Sequence, residues 1–325
     1  MAGANLPAKK YKKTSPTVTR LSFEFDGGST EFIDIAQALS AINRKFYRQG
    51  VYYYVNSVEI YNDETGVVDL HTVPDNWVTK NAWNRGFKLF QKMNSMADQP
   101  LTSVGRPKYH DFKVYMDYRH ALQASSVPPS LYTINAGSTT IVSDDWVISN
   151  FVSADSDGDT TTDSQGNTIL YQEADDFTTH LVGGHLGTSD DWDSIGLIRS
   201  YSESRRTIQA TQNSGSTANV ASNDPMMNIF DMSSEEQLND IVDNLMTDND
   251  APPYNYNLYV GEENTNLQHV ARIGTETGVG RVGRAAGFCA PFGLICVDPS
   301  GVSTAFRVVL NLAVGTYHGV YAERA

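Results

Sequence analysis

The stretch that most limits the fold is "TVTRLSFEF", residues 17–25. Leu21, Phe23 and Phe25 alternate with polar residues, so they share one side of a β-strand and cannot share one side of a helix. Similar β-rich patterning returns in "VYYYVNSVEIYN" (51–62) and "AFRVVLNLAVGTYHGVYA" (305–322). The apolar run "GFCAPFGLICV" (287–297) and the shorter "YNYNLYVG" (254–261) add two further strand signals.

Helical spacing is confined to the connections. In "EFIDIAQALSAINRKFYRQG" (31–50), Phe32, Ile35, Leu39, Ile42 and Phe46 recur at helical spacing. Ser29 or Thr30 offers the N-cap, Glu31 sits in the first turn, and Gly50 is the natural residue past the end. A second helix is predicted across "DNWVTKNAWNRGFKLFQKMNSM" (75–96), with Trp83, Phe87 and Phe90 as its apolar stripe and Lys80, Arg85, Lys88 and Lys92 elsewhere on its surface. A third spans "SSEEQLNDIVDNLM" (233–246), where Ser233 and Glu236 form a capping box and Leu238, Ile241, Val242 and Leu245 make the stripe. "KYHDFKVYMDYR" (108–119) alternates, with Tyr109, Asp111, Lys113 and Tyr115 on one face, and reads as strand. Residues 130–200 are rich in Thr, Ser, Asp and Gly, with strand-like runs at "TTIVSDDWVISNFV" and "DFTTHLVGGHLG".

Strands joined by tight hairpins would suggest an immunoglobulin-like sandwich. Seven or eight strands with long crossings suit an all-β, eight-stranded double-sheet jelly roll with short helices in its long loops. The expected organisation is a disordered basic arm at 1–16 and a single domain at 17–325, with an acidic, loop-rich region at about 144–270.

Charge divides the chain. The 325 residues carry a net charge of −14. Residues 1–120 hold 16 Lys+Arg against 12 Asp+Glu, a net of +4, and residues 121–325 hold 8 Arg, no Lys and 26 Asp+Glu, a net of −18. Within the second part, 144–250 holds 21 Asp+Glu against Arg199, Arg205 and Arg206. Such polarity suggests a molecule with two differently charged sides. The basic end opens with "KKYKK" (9–13), a nucleic-acid arm or address signal on one reading and a solvated tail on the other.

No run of about eighteen apolar residues exists, so no membrane partner is expected. Two cysteines, Cys289 and Cys296, are separated by a span of roughly 23 Å if extended, beyond disulfide reach. Only a tight turn at Pro291–Gly293 would bring them together, so two buried thiols in a reducing compartment are expected.

"GVGRVG" (278–283) matches the dinucleotide fingerprint in letters but lacks the strand before and helix after it. Asp155, Asp157, Asp159 and Asp163 lie at calcium-loop-like spacing, yet Thr160 and Gly166 stand where an EF-hand loop needs Gly and Glu. An acidic loop tip is the better reading, with these four as a weak metal candidate and no cofactor expected. His71, His110, His120, His180, His185, His269 and His318 are scattered, and His180 and His185 should not share a face. No serine elbow, cysteine–base pair or HExxH motif points to catalysis.

The order of elements carries a resemblance. The basic arm, "LSFEF", "IAQALSAINRKFYRQG", "YYYVNSVEIYN", "RPKYHDFKVYM", "PFGLICVD" and "GTYHGVYAERA" together resemble the single jelly-roll capsid proteins of small circular single-stranded DNA viruses of environmental and gut-associated kinds. The likeness is strongest at 18–119 and 285–325 and thin across 150–270. Many such proteins carry a far longer arginine-rich arm than this chain does. The resemblance implies a non-enzymatic shell protein of the virion, assembled in the cytoplasm or nucleus of a host cell. Its partners would be further copies of itself and the viral genome, with an unknown host receptor. Lys9, Lys10, Tyr11, Lys12, Lys13 and Arg20 would bind nucleic acid without reading sequence. From another class, a β-sandwich carbohydrate-binding module, lectin or adhesin would use Trp146, Trp192 and Tyr254 to stack on sugars, with calcium at the aspartates.

Overall fold

The computed structural model describes residues 16–97, 109–123, 130–133, 137–139, 146–154, 159–162, 168–171, 174–188, 191–206, 241, 243–245, 247–248, 253, 266–275 and 281–324. These belong to two compact units. The first draws on Met1–Asp75, Gln99–Ser149 and Leu267–Ala325, the second on Asn76–Asp98 and Asn150–Asn266.

Along the chain the strands begin with β1 (Arg20–Phe25), β2 (Glu31–Asp34), β3 (Val51–Tyr61) and β4 (Gly66–Thr72). The middle supplies β5 (Tyr115–Asp117), β6 (Ser130–Thr133), β7 (Gly137–Thr139), β8 (Phe151–Ala154), β9 (Asp159–Thr162), β10 (Thr168–Tyr171), β11 (Ala174–Val182), β12 (Leu186–Thr188) and β13 (Asp191–Gly196). The last are β14 (Gln268–Thr275), β15 (Val282–Ala290), β16 (Leu294–Ser300), β17 (Phe306–Leu312), β18 (Val314–Tyr317) and β19 (Ala322–Arg324). The helices are α1 (Ile35–Asn43), α2 (Trp77–Ala97), α3 (Tyr118–Gln123) and α4 (Leu197–Arg206). The chain is therefore mostly β, in sheets that are antiparallel apart from the β11–β13 pair, as the alternation in its sequence implied.

Two sheets of the first unit share one core. The larger runs β15-β3-β17-β1-β6-β7, with β19 beside β3, and the smaller runs β14-β4-β16-β2. Register puts Leu21 opposite Leu310, Phe23 opposite Val308, and Phe25 opposite Phe306; the last two rings stack at 5.2 Å. On the other side of β17, Leu310 meets Val58 and Val308 meets Ile60. These side chains pack with Ile33, Val68, Leu70, Ile295 and Val297 of the smaller sheet in one buried cluster. Each fully buried side chain of this size contributes about 1.5–3 kcal/mol, so the two facing sheets are the dominant stabilising element.

Three expectations need correction. Helix α1 starts at Ile35, not after Ser29 or Thr30, because Glu31–Val297 to Asp34–Leu294 pairing draws 31–34 into β2. Asp34 caps the helix, its Oδ1 accepting from the amides of Ala36 and Gln37 at 2.8 and 3.1 Å. The helix stops at Arg44, which adopts a left-handed conformation (φ 53°), and Phe46 and Gly50 lie beyond it. Second, 108–119 is not one strand. The amides of Lys113 and Val114 donate to Ser149 Oγ and Gln49 Oε1, so side chains there take the place of a strand ladder; only Tyr115–Asp117 pairs as strand before α3. Third, the tight turn at Pro291–Gly293 does form, with Phe292 at φ 58° and Gly293 at φ 74°. It carries the chain from β15 in one sheet to β16 in the other, and the two cysteines remain thiols. Cys296 is buried as expected and Cys289 is half-buried.

In the second unit, β11 pairs antiparallel with β8 and parallel with β13, and β12 lies on the far side of β13. Strands β9 and β10 form a separate hairpin. Helices α2 and α4 pack together, and the Arg205 guanidinium lies 5.0 Å from the Trp77 ring. On α2, Trp83 and Phe87 stack at 5.2 Å, and Phe90 meets Phe151 edge-on. Of the third predicted helix, Ile241, Asp243–Leu245 and Thr247–Asp248 are helical. Ser233, Glu236, Leu238 and Val242, like "YNYNLYVG", lie outside the described residues.

Candidate nucleic-acid interface

Lys9, Lys10, Tyr11, Lys12 and Lys13 lie outside the described residues. What the structure gives is the point at which that segment joins the first unit. Thr17 Oγ1 donates to the His318 carbonyl at 2.9 Å. Asn43, the last residue of α1, clamps Val18 twice, accepting from its amide at 2.7 Å and donating to its carbonyl at 3.1 Å. Gly319 completes the joint: its φ is 103°, and a Cβ there would stand 2.4 Å from Thr17 Oγ1. Only glycine combines that backbone with that approach.

The basic segment "NRKFYRQG" comes to the same joint. Lys45 Nζ donates to Thr17 Oγ1 at 3.3 Å, four positions from Lys13. Arg44 is exposed, and Arg48, also exposed, pairs with Asp111 at 3.1 Å. The intervening Tyr47 is fully buried and donates its hydroxyl to the His318 carbonyl at 3.0 Å. Alternating anchors and cations are why this stretch leaves the helix after Asn43: Tyr47 and Gln49 turn inward and Arg44 and Arg48 outward.

Arg20 lies at the start of β1, on the side of the larger sheet away from the core. It is 60% exposed, and its Nη2 meets Glu59 Oε2 at 3.0 Å. Arg284 approaches the other oxygen of Glu59 at 3.7 Å, and the Tyr61 hydroxyl donates to Glu59 at 2.9 Å. One carboxylate thus holds two guanidinium groups, Arg20 and Arg284, on this face.

A buried polar node supports the joint from below. Asp34 Oδ2 accepts from Gln49 Nε2 at 2.6 Å and from Trp146 Nε1 at 2.9 Å. Gln49 also donates to the Val114 carbonyl at 3.1 Å. Lys113 Nζ lies 4.7 Å from the Trp146 ring and donates to the Val147 carbonyl at 3.2 Å. Burial pushes the Asp34 carboxyl up to about 6, against the opposing pull of its four hydrogen bonds. Sequence reasoning missed Asp34, whose only signal is a carboxylate three positions before Gln37, at the start of the apolar helix pattern.

The remaining candidates come out as follows. Trp146 is 9% exposed and bonded to Asp34, so it is no platform for a sugar ring; Trp192 is half-buried against His185, and Tyr254 lies outside the described residues. Asp155, Asp157 and Asp163 lie outside them too, while Asp159 begins β9. Among the described residues no group of three metal-ligating side chains is found. "GVGRVG" does follow a strand, β14, contrary to expectation, but Val282 opens another strand and not the helix the fingerprint needs. His180 and His185, expected apart, converge on Gly196. His180 lies 3.2 Å from where a Gly196 Cβ would stand, and His185 Nδ1 accepts the Gly196 amide at 3.1 Å. His180 is buried, with Nε2 donating to the Gly184 carbonyl at 2.9 Å and Nδ1 accepting from Ser194 at 2.8 Å. This pair pins the β11–β13 crossing, and Ser194 is itself buried. Among the described residues no helix is long and apolar enough to cross a membrane.

Comparison with protein-family models, curated proteins and solved structures yields no match to this chain.

Proposed function

We propose that the chain is a capsid subunit: a non-enzymatic, eight-stranded double-sheet jelly roll that assembles with copies of itself into a closed shell around a small genome. The observation that carries this reading is strand order. Counting β1, β2, β3, β4, β14, β15, β16 and β17 as one to eight, the facing sheets run 6-3-8-1 and 5-4-7-2. Two interlocked Greek keys of eight strands have this order, and shell subunits are among the proteins built that way.

Charge supports the same reading. The anchored joint at Thr17 carries Lys45 and Arg44 and leads back to four lysines and a tyrosine. Such a segment neutralises phosphate and stacks on unpaired bases without reading sequence. The acidic part of the chain would face away from that polyanion.

Electron microscopy and light scattering of the purified protein test the proposal. Closed particles of megadalton mass are expected. A chain that stays monomeric or dimeric under every salt and pH condition overturns it.

A further inference from the structure

Helix α2 carries a patch unlike the rest of its unit. Over 21 residues it has four basic side chains and no acidic one. At 100° per residue, Arg85, Lys88, Leu89 and Lys92 fall within one 100° sector, opposite the buried Trp83 and Phe90. Lys88 and Lys92 are exposed, Arg85 is half-exposed, and Leu89 between them is 46% exposed. None of the three cations makes an ion pair among the described residues. An apolar centre with a charged rim is the composition of an interface.

The same unit carries the complement. Residues 207–266 hold ten Asp+Glu and no Lys or Arg. Within that stretch Leu245 is helical and 49% exposed, with Asp248 one turn further on along the same side, while Asp243, also exposed, lies about 200° away around the helix. Neither aspartate makes an ion pair among the described residues. A leucine ringed by cations and a leucine next to a carboxylate in a stretch without any basic residue therefore both stand exposed within one copy.

We infer that the α2 face Arg85–Lys88–Leu89–Lys92 of one subunit docks the acidic helical residues around Leu245 of a second copy. The two patches differ, so each copy offers both halves of the contact, and a head-to-tail arrangement builds rings or shells where its rotation closes. The inference rests on the shell reading and names one of its contacts. Charge complementarity favours this occupant over nucleic acid, since the surrounding unit is strongly acidic and repels phosphate within a Debye length of about 8–10 Å.

The test uses the full chain in four forms: wild type, R85E/K88E/K92E, D243K/D248K, and the two sets combined. Like charges facing each other repel, so each reversed variant should need at least about tenfold more protein to assemble by light scattering. The combined variant, and an equimolar mixture of the two reversed variants, should recover assembly because opposite charges meet again. Recovery also separates a broken contact from a broken fold. Wild-type particles with unimpaired reversed variants, or reversed variants that neither form restores, overturn this inference alone. R85E/K88E/K92E particles that form normally but hold less nucleic acid would assign the face to the genome instead. A wild-type chain that never self-associates overturns the shell reading as well.

Discussion

Trp146 donates its indole N–H to the carboxylate of Asp34 at 2.9 Å, across 112 positions of sequence. The bond ties the connection between β7 and β8 to the residue that caps α1, both buried. Removing the acceptor strands two donors and uncaps a helix. Asp34→Ala should therefore cost about 3–7 kcal/mol, from a lost cap of about 1 kcal/mol and two buried donors left unpaired at about 1–3 kcal/mol each. Trp146→Phe keeps an aromatic ring but loses part of the indole's buried volume and one bond to a charged acceptor, so at least about 1.5–3 kcal/mol is expected. Chemical denaturation of both variants measures the difference.

Acid should weaken the second unit through His180. Its folded value is lowered to about 4 by burial, below the ordinary 6.5. A histidine held neutral in the fold contributes stability that is present above pH 6.5 and lost as pH falls towards 4, up to about 3 kcal/mol. His180→Gln should be less stable at neutral pH yet flatter between pH 6.5 and 4 in thermal melts. Asp34 has the opposite sign: its raised value of about 6 gives a contribution present below 3.8 and lost as pH rises through 6. A variant as pH-sensitive as the wild type in that window would show that His180 is not the titrating group.

Gly319→Ala should loosen the anchored joint. The new Cβ would both strain a φ of 103° and press on Thr17, an effect of about 1–3 kcal/mol. Limited proteolysis should then cut near Thr17 sooner than in the wild type, while the core around Phe23 and Leu310 stays protected. Unchanged cleavage kinetics would mean that Asn43 alone holds the segment.

Replacing Lys9, Lys10, Lys12 and Lys13 by alanine should leave folding intact and weaken nucleic-acid binding. Each lost phosphate contact lowers the salt slope by about 0.7 for a single strand, so four should lower it by about 3. Binding isotherms at several salt concentrations report the slope, and the ultraviolet absorbance ratio of purified particles reports the cargo. Equal slope and equal cargo would make "KKYKK" a solvated tail or an address.

Period-two alternation made β1, β3 and β17 readable from the sequence, because half-buried strands must show it. The stripe of Trp83, Phe87 and Phe90 did the same for α2. The joint and the polar node were hidden for physical reasons. Phe32 and Ile35 are three apart and mimic one helix face, although Phe32 belongs to a strand and Ile35 to the helix after it. Trp146 follows Asp144 and Asp145, so local polarity suggested exposure, and only a partner 112 residues away makes it buried. His180 and His185 meet at Gly196 because β13 runs parallel to β11, a pairing that local pattern does not encode. The thiols were legible in outcome but not in cause: the turn at Pro291–Gly293 exists, and it separates the cysteines by changing sheets.

The pairing of β4 with β14 has a consequence for synthesis. Thr72 and Gln268 are neighbours in the sheet, yet 195 residues lie between them in the chain. At about 5–20 residues per second, a ribosome needs roughly 10 to 40 seconds to deliver the partner strand. Throughout that interval β1, β3 and β4 wait with unsatisfied edges, and β1 waits longer still for β17. The second unit, contributed almost wholly by the intervening chain, is complete before the first can close. Nascent chains of this protein thus carry exposed strand edges for tens of seconds, the interval in which a chaperone that shields them would have most to do.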